Sequence, residues 1–239
     1  MNELLSSVLE AHGGLAHRNS FNMVRAIVAT RGSFWQLKGL MQDQDPCRVT
    51  VWLHQEHSIL APVSHSHLYA DYMPSRIAIL KDDGTVIAER DNPRASFAGH
   101  IKPTWWDPLQ LAYFEGYALW AYLNTPFLLA GAGVAVTEID PWIDDGATWR
   151  VLRAQFFNAA STHSAIQEYF FDEDFMLRRH DYRLDIAGGF DATHLLFDYV
   201  EVEGIRIPSR CRAYTRAPNQ HIILDPLMAS IEISNVRFI

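Results

Sequence analysis

KPTWWDPLQLAYFEGYALWAYLNTPFLLA, from Lys102 to Ala130, is the most aromatic and least charged stretch of the sequence. Asp107 is a good N-cap, because its carboxylate can accept the free amide hydrogens of a first helical turn. Pro108 follows at the first helical position, where its missing N–H costs nothing. Gln110 completes a capping box, and Trp106 and Leu111 occupy the two hydrophobic-staple positions. The pattern predicts a helix from Pro108 to Asn124, ended by Pro126, since the residue before a proline is pushed out of helical geometry. Gln110 and Glu115 are the polar exceptions in a helix apolar nearly all round, so burial is expected. A membrane span is excluded, because Pro126 cuts the run short of the roughly 20 residues needed. Tyr113, Tyr117 and Trp120 share one face, each with an apolar body and a polar tip. Two readings of that face stay open: ordinary core with the tips bonded to backbone, or the lining of a ligand cavity.

The chain has 239 residues, 49% of them hydrophobic and 20% charged, with a net charge of −8. One globular domain spanning residues 1–239 is expected. The negative charge argues against nucleic acid, which needs concentrated Lys and Arg. The opening MNELLSSVLEAHGG has no basic region and no long apolar run, so no secretory signal is read there. Cys47 and Cys211 fit two buried thiols in a reduced, cytoplasmic protein.

The flanks of the central stretch are strand-like. Asn2 can cap a short first helix carrying Leu4, Leu5, Val8 and Leu9, ended by Gly13 or Gly14. Phe21 to Leu40 turns strand-like, as do CRVTVWLH and HSHLYADY. Ile77 to Arg90 forms a hairpin about Asp83-Gly84, a favoured tight-turn pair. After the central helix, Val134 to Phe157 turns at Asp145-Gly146. Ser164 to Phe171 pairs with Met176 to Ile186. His194 to Val202 and Ile205 to Arg216 join at Glu203-Gly204, and Met228 to Phe238 closes the chain. Ten to twelve strands on short turns favour a mainly β (α+β) protein with a meandering antiparallel sheet.

Alternation assigns the faces. Arg179, Asp181, Arg183 and Asp185 fall on one face, Met176, Arg178, His180, Tyr182 and Leu184 on the other. Arg206, Arg210, Arg212 and Arg216 likewise oppose Ile205, Ile207, Ser209, Cys211 and Ala213. A charged convex face and an apolar concave face follow, and the central helix is the candidate to cover the concave one. The fold expected is a single curved antiparallel sheet, or half-open β-barrel, around a buried aromatic helix.

LEAHGGL (Leu9 to Leu15) and a first strand ending in ATRGSF (Ala29 to Phe34) resemble the opening of LolA-like proteins. YFFDEDFMLRRHDY (Tyr169 to Tyr182), DYVEVEGIRIPSR (Asp198 to Arg210) and ISNVRF (Ile233 to Phe238) resemble the late hairpins and closing strand of that superfamily of lipoprotein carriers and outer-membrane lipoprotein-sorting proteins. The resemblance implies a half-open barrel with helices plugging its mouth and a hydrophobic cavity between them. LolA is exported, and neither a signal nor a lipobox cysteine is read here. The resemblance therefore points to a cytoplasmic relative rather than to a lipoprotein carrier.

The expected function is binding of a hydrophobic or lipid-like small molecule. Trp105, Tyr113, Tyr117, Trp120 and Phe127 would give apolar contact, and Arg178 and His180 would hold a polar head. An enzyme using Glu115, or the group His163, His180 and His194, is the alternative; a satisfied histidine network, and a Glu115–Arg178 pair, are the plainer readings of the same residues. An interaction module with a filled core is the third. His65 and His67 on one strand face are metal candidates whose third ligand would have to come from elsewhere, for instance His54 or His57. No nucleotide, phosphate-loop or zinc-helix motif is present, and no cofactor is expected.

Overall fold

The computed structural model describes residues 2–41, 46–63, 67–144, 146–157 and 161–239, the side chain of residue 144 excepted. Helix α1 (Glu3–Ala11) is capped by Asn2, whose side chain accepts from Leu5 N at 3.2 Å. A helical turn α2 (Leu15–Arg18) leads to β1 (Met23–Arg31), a second turn α3 (Phe34–Leu37), then β2 (Cys47–Trp52) and β3 (Ser58–Ala61). Next come β4 (Leu68–Met73), β5 (Arg76–Lys81) and β6 (Val86–Asp91), a 3₁₀ turn at Pro93–Phe97, and the central helix α4 (Pro108–Asn124). The second half is β7 (Val134–Asp144), β8 (Ala147–Phe156), β9 (Ile166–Phe171), β10 (Leu177–Leu184), β11 (Phe190–Val202) and β12 (Ile205–Arg216). The two-residue β13 (Ile222–Ile223) and β14 (Ala229–Phe238) complete it.

All strands belong to one antiparallel sheet in the order β6-β5-β4-β3-β2-β1-β14-β12-β11-β10-β9-β8-β7, with β13 beside β12. Two meanders, β1–β6 and β7–β12, thus meet through β14. Their outer edges, β6 and β7, are consecutive in sequence yet lie at opposite ends of the sheet. Neighbouring antiparallel strands need only tight turns, whereas joining the two far edges needs a long crossing over one face. Residues 92–133 make that crossing and carry α4, so topology places the helix in the concavity.

The helix begins as its residues dictate. Asp107 accepts from Gln110 N at 2.8 Å, and the Gln110 side chain accepts from Asp107 N at 3.0 Å. Arg90 braces the cap with two bonds to the Asp107 carboxylate, at 2.8 and 3.2 Å. No residue from Leu109 to Ala130 is exposed, and no helix is long and apolar enough to cross a membrane among the described residues. Packing is chiefly against β2–β6. Gly116 permits that approach: a Cβ there would lie 2.5 Å from Tyr72 Cβ and 2.6 Å from its Cγ. Alanine improves intrinsic helix stability by about 1 kcal/mol over glycine. Overpacking costs about 1–3 kcal/mol, so Gly116→Ala is expected to lower stability by up to about 2 kcal/mol in urea titrations. A more stable variant would mean that the helix does not press on Tyr72.

Several expectations are corrected. Among the described residues there are fourteen strands rather than ten to twelve, because the short Ser58–Ala61 and Ile222–Ile223 segments also pair. The strand-like run to Leu40 stops at Arg31. Gly32 then takes a φ of +132°, where an added Cβ would lie 2.3 Å from the Met228 carbonyl oxygen, and the chain turns into α3. Glu203 and Gly204 both take positive φ, as the expected hairpin turn requires. Asp145 of the other proposed turn lies outside the described residues.

Of the arginines expected on the convex face, Arg206, Arg210 and Arg212 pair there with Glu201, Asp198 and Glu232. Arg179 and Asp181, expected in water, are instead buried. Trp142 and Phe170 flank the Arg179 guanidinium at 4.7 and 4.9 Å, so this end of the convex face holds a small second core.

Candidate functional site

Because α4 leans on β2–β6, space remains between it and β9–β12. A cavity of about 80 Å³ lies there, walled by aromatic and aliphatic groups that include Trp35, Tyr117, Trp120, Leu177 and Leu196. Tyr122 crosses the gap and donates to Pro208 O on β12 at 3.1 Å. Trp35 and Glu115 form a partition. The indole donates to the Glu115 carboxylate at 3.1 Å, and a second space of about 90 Å³, reaching Cys47 and Leu111, lies on the far side.

The polar end of the wall is a histidine–tyrosine cluster. Residues His163, His180 and His194 are distant in sequence, but their ring centroids lie 5.9–6.4 Å apart. Register explains part of this, since His180 and His194 face each other across β10 and β11. Tyr117 bonds His163 Nδ1 at 3.0 Å and Tyr182 bonds His194 Nε2 at 2.7 Å. His180 Nε2 meets Gln167 Oε1 at 2.7 Å, and its ring stacks on Tyr169 at 4.3 Å. Burial pushes the His194 pKa down to about 4. Burial, then the neighbouring imidazoles, holds His163 and His180 well below the usual range. All three rings are neutral at pH 7.

His12 was not singled out from sequence. It closes α1, its Nδ1 bonds Val8 O at 2.8 Å, and it lines the cavity with none of its surface exposed. Burial pushes its pKa down to about 4. The available signal was a histidine standing directly before the helix-ending Gly13-Gly14 pair.

The other candidates fall as follows. Tyr117, Trp120, Glu115, His163, His180 and His194 line the cavity. Tyr113 is buried away from its wall and donates to Ser161 Oγ at 3.0 Å. Phe127 is buried below the Arg18 guanidinium, 5.8 Å from it. Trp105 is 76% exposed and outside the cavity. Arg178 is also outside. A β-bulge between Leu177 and Arg179 breaks the alternation, turns Leu177 inward, and leaves Arg178 bonded to Asp172 at 2.5 Å. The Glu115–Arg178 pair therefore does not form. His67 is exposed, 3.4 Å from Asp82, and His65 lies outside the described residues. Among the described residues, no group of three or more His, Cys, Asp or Glu could hold a metal ion.

Solved structures share this architecture. A LolA superfamily protein from Nitrosomonas europaea matches over 97% of this chain and 91% of its own, with a TM-score of 0.53 at 11% identity. The fold is LolA-like. A DUF1329 family protein from Desulfovibrio piger shares the LolA-like fold at a TM-score of 0.54 and 9% identity, over 99% of this chain and 94% of its own. A Vibrio parahaemolyticus domain, provisionally assigned to outer membrane lipoprotein sorting, matches at 0.52 and 10% identity, over 95% and 93%. No protein-family model and no curated protein matches the sequence. At such identities the likeness concerns the fold and not the activity.

Proposed function

We propose that the protein binds an apolar or lipid-like small molecule between α4 and the β9–β12 half of the concave face. The observation that carries this reading is the cavity itself: an aromatic and aliphatic wall converging on a few polar groups, as ligand sites do. The provisional lipoprotein-sorting assignment of the Vibrio domain is consistent with it. At about 80 Å³ the space is well below the ~300–1,000 Å³ of typical ligand sites. Uptake therefore goes with an outward shift of α4, which is held on that side mainly by Tyr117 and Tyr122.

The small volume also favours a second reading, a filled core in an interaction module that uses its charged convex face. Native mass spectrometry and thermal unfolding separate the two. A ligand present at 100 times its Kd adds about 2.7 kcal/mol, or roughly 5–10 °C in Tm. An adduct in gently purified protein, or a shift of that size with a long-chain amphiphile, is expected. A ligand-free mass together with an unmoved Tm across such compounds would leave the filled-core reading.

A further inference from the structure

The polar atoms of the cavity wall differ in whether they are already used. The hydroxyls of Tyr122, Tyr169 and Tyr199 donate to Pro208 O, Gln167 Oε1 and Leu177 O. Those of Thr125 and Thr162 donate to Ala121 O and Ser164 O. The indoles of Trp35 and Trp120 donate to Glu115 and to backbone carbonyls of Trp52 and Gln55. Each of the neutral pairs Tyr117–His163 and Tyr182–His194 holds two protons and uses one between its members, so it keeps a donor; the other donors are spent.

Two acceptors are not. A backbone carbonyl can only accept, so the bond to Val8 O fixes the proton of His12 on Nδ1. His12 Nε2 is then a lone pair, buried on the wall without a partner. The Gln167 amide is oriented by its N–H bond to Ser164 O, which directs its oxygen at His180 Nε2. That fixes the His180 proton on Nε2 and leaves Nδ1 as a second unspent acceptor. Among the described residues the wall carries no Lys or Arg. A carboxylate or phosphate head would bring a charge into the cavity with no Lys or Arg among those residues to balance it, a costly arrangement away from water. A hydroxyl can donate to a bare imidazole nitrogen.

Resting on the ligand-binding reading above, we propose that the cavity takes a neutral amphiphile whose polar end is a hydroxyl group. His12 Nε2 accepts the one proton of that hydroxyl, and Tyr117, Trp120 and Leu196 contact its apolar body. The site selects long-chain or polycyclic alcohols over the corresponding acids and phosphates.

The test uses the full chain with 1-decanol, decanoate and decane at pH 7.5, read by fluorescence of the wall tryptophans. Decanol is expected to bind about tenfold or more tighter than decanoate, the effect of one buried hydrogen bond made rather than left unmade. In His12→Phe/His180→Phe the preference falls toward one, while decane still binds. If that variant does not fold, the ¹⁵N resonance of His12 Nε2 in the unaltered protein serves instead, and it is expected to shift with decanol and not with decane. Decanoate binding as tightly as decanol, or decane equal to decanol, overturns the hydroxyl assignment and leaves the cavity reading standing. Binding of none of the three overturns both.

Discussion

Moving the protein from pH 7 to pH 5 is expected to lower its unfolding free energy, with His12 and His194 together contributing roughly 4 kcal/mol. His12 and His194 fall from 6.5 unfolded to about 4 folded, because burial disfavours their charged forms. Between those values the unfolded chain takes up protons that the folded chain refuses. Stability is therefore complete above pH 6.5, drains away as pH falls through 6.5 toward 4, and levels below that. Each of the two contributes a loss of about 2 kcal/mol by pH 5. His163 and His180 act in the same direction. Glu56 and Asp185 oppose it, since burial raises both carboxyls. Against a typical total of 5–15 kcal/mol, a loss of this size is a large fraction of the stability. Urea titrations at pH 7, 6 and 5 measure this, and His194→Phe should flatten the dependence by one proton. A free energy constant from pH 7 to 5 would mean that the imidazoles are not buried neutral.

Asp181→Ala should cost about 3–5 kcal/mol, the range for stranding a buried charge. Arg179, only 2% exposed, gives the Asp181 carboxylate two bonds at 2.9 and 2.8 Å, and Thr193 adds a third at 2.7 Å. Arg216 Nε lies 3.4 Å from the same carboxylate but is misaligned for a hydrogen bond, so the substitution strands two guanidinium groups. Glu232→Ala, which removes the more exposed Arg212 pair, is the control and should cost no more than about 1 kcal/mol. Replacing both charges, in Arg179→Met/Asp181→Leu, should recover part of the loss and not all of it, because Arg216 remains. Denaturant midpoints distinguish these outcomes. If Asp181→Ala and Glu232→Ala cost the same, the pair is not buried as described.

Arg179 and Asp181 also mark where residue patterns mislead. Two charges alternating along a strand signal a wet face, and only the distant Trp142 and the β13 region bring the cover that makes this one dry. Arg178 fails for a different reason. Alternation holds only for an unbroken strand, and a single bulge between Leu177 and Arg179 reversed the order of the faces. Trp105 belongs to the aromatic stretch by composition, yet it precedes the cap at Asp107 and lies outside the buried helix.

What the sequence determined by itself is local. The capping box at Asp107 and Gln110, the proline stop and the tight-turn pair Glu203-Gly204 depend on neighbours within a few residues. They set helix α4 and hairpins that recur as expected. What only the tertiary structure decided is where those elements meet. The crossing from one sheet edge to the other places α4 in the concavity, and its lean toward β2–β6 opens the cavity. The sheet gathers His163, His180 and His194, and the end of α1 brings in His12. Such convergence depends on register and on packing between residues far apart in the chain, which no local spacing encodes.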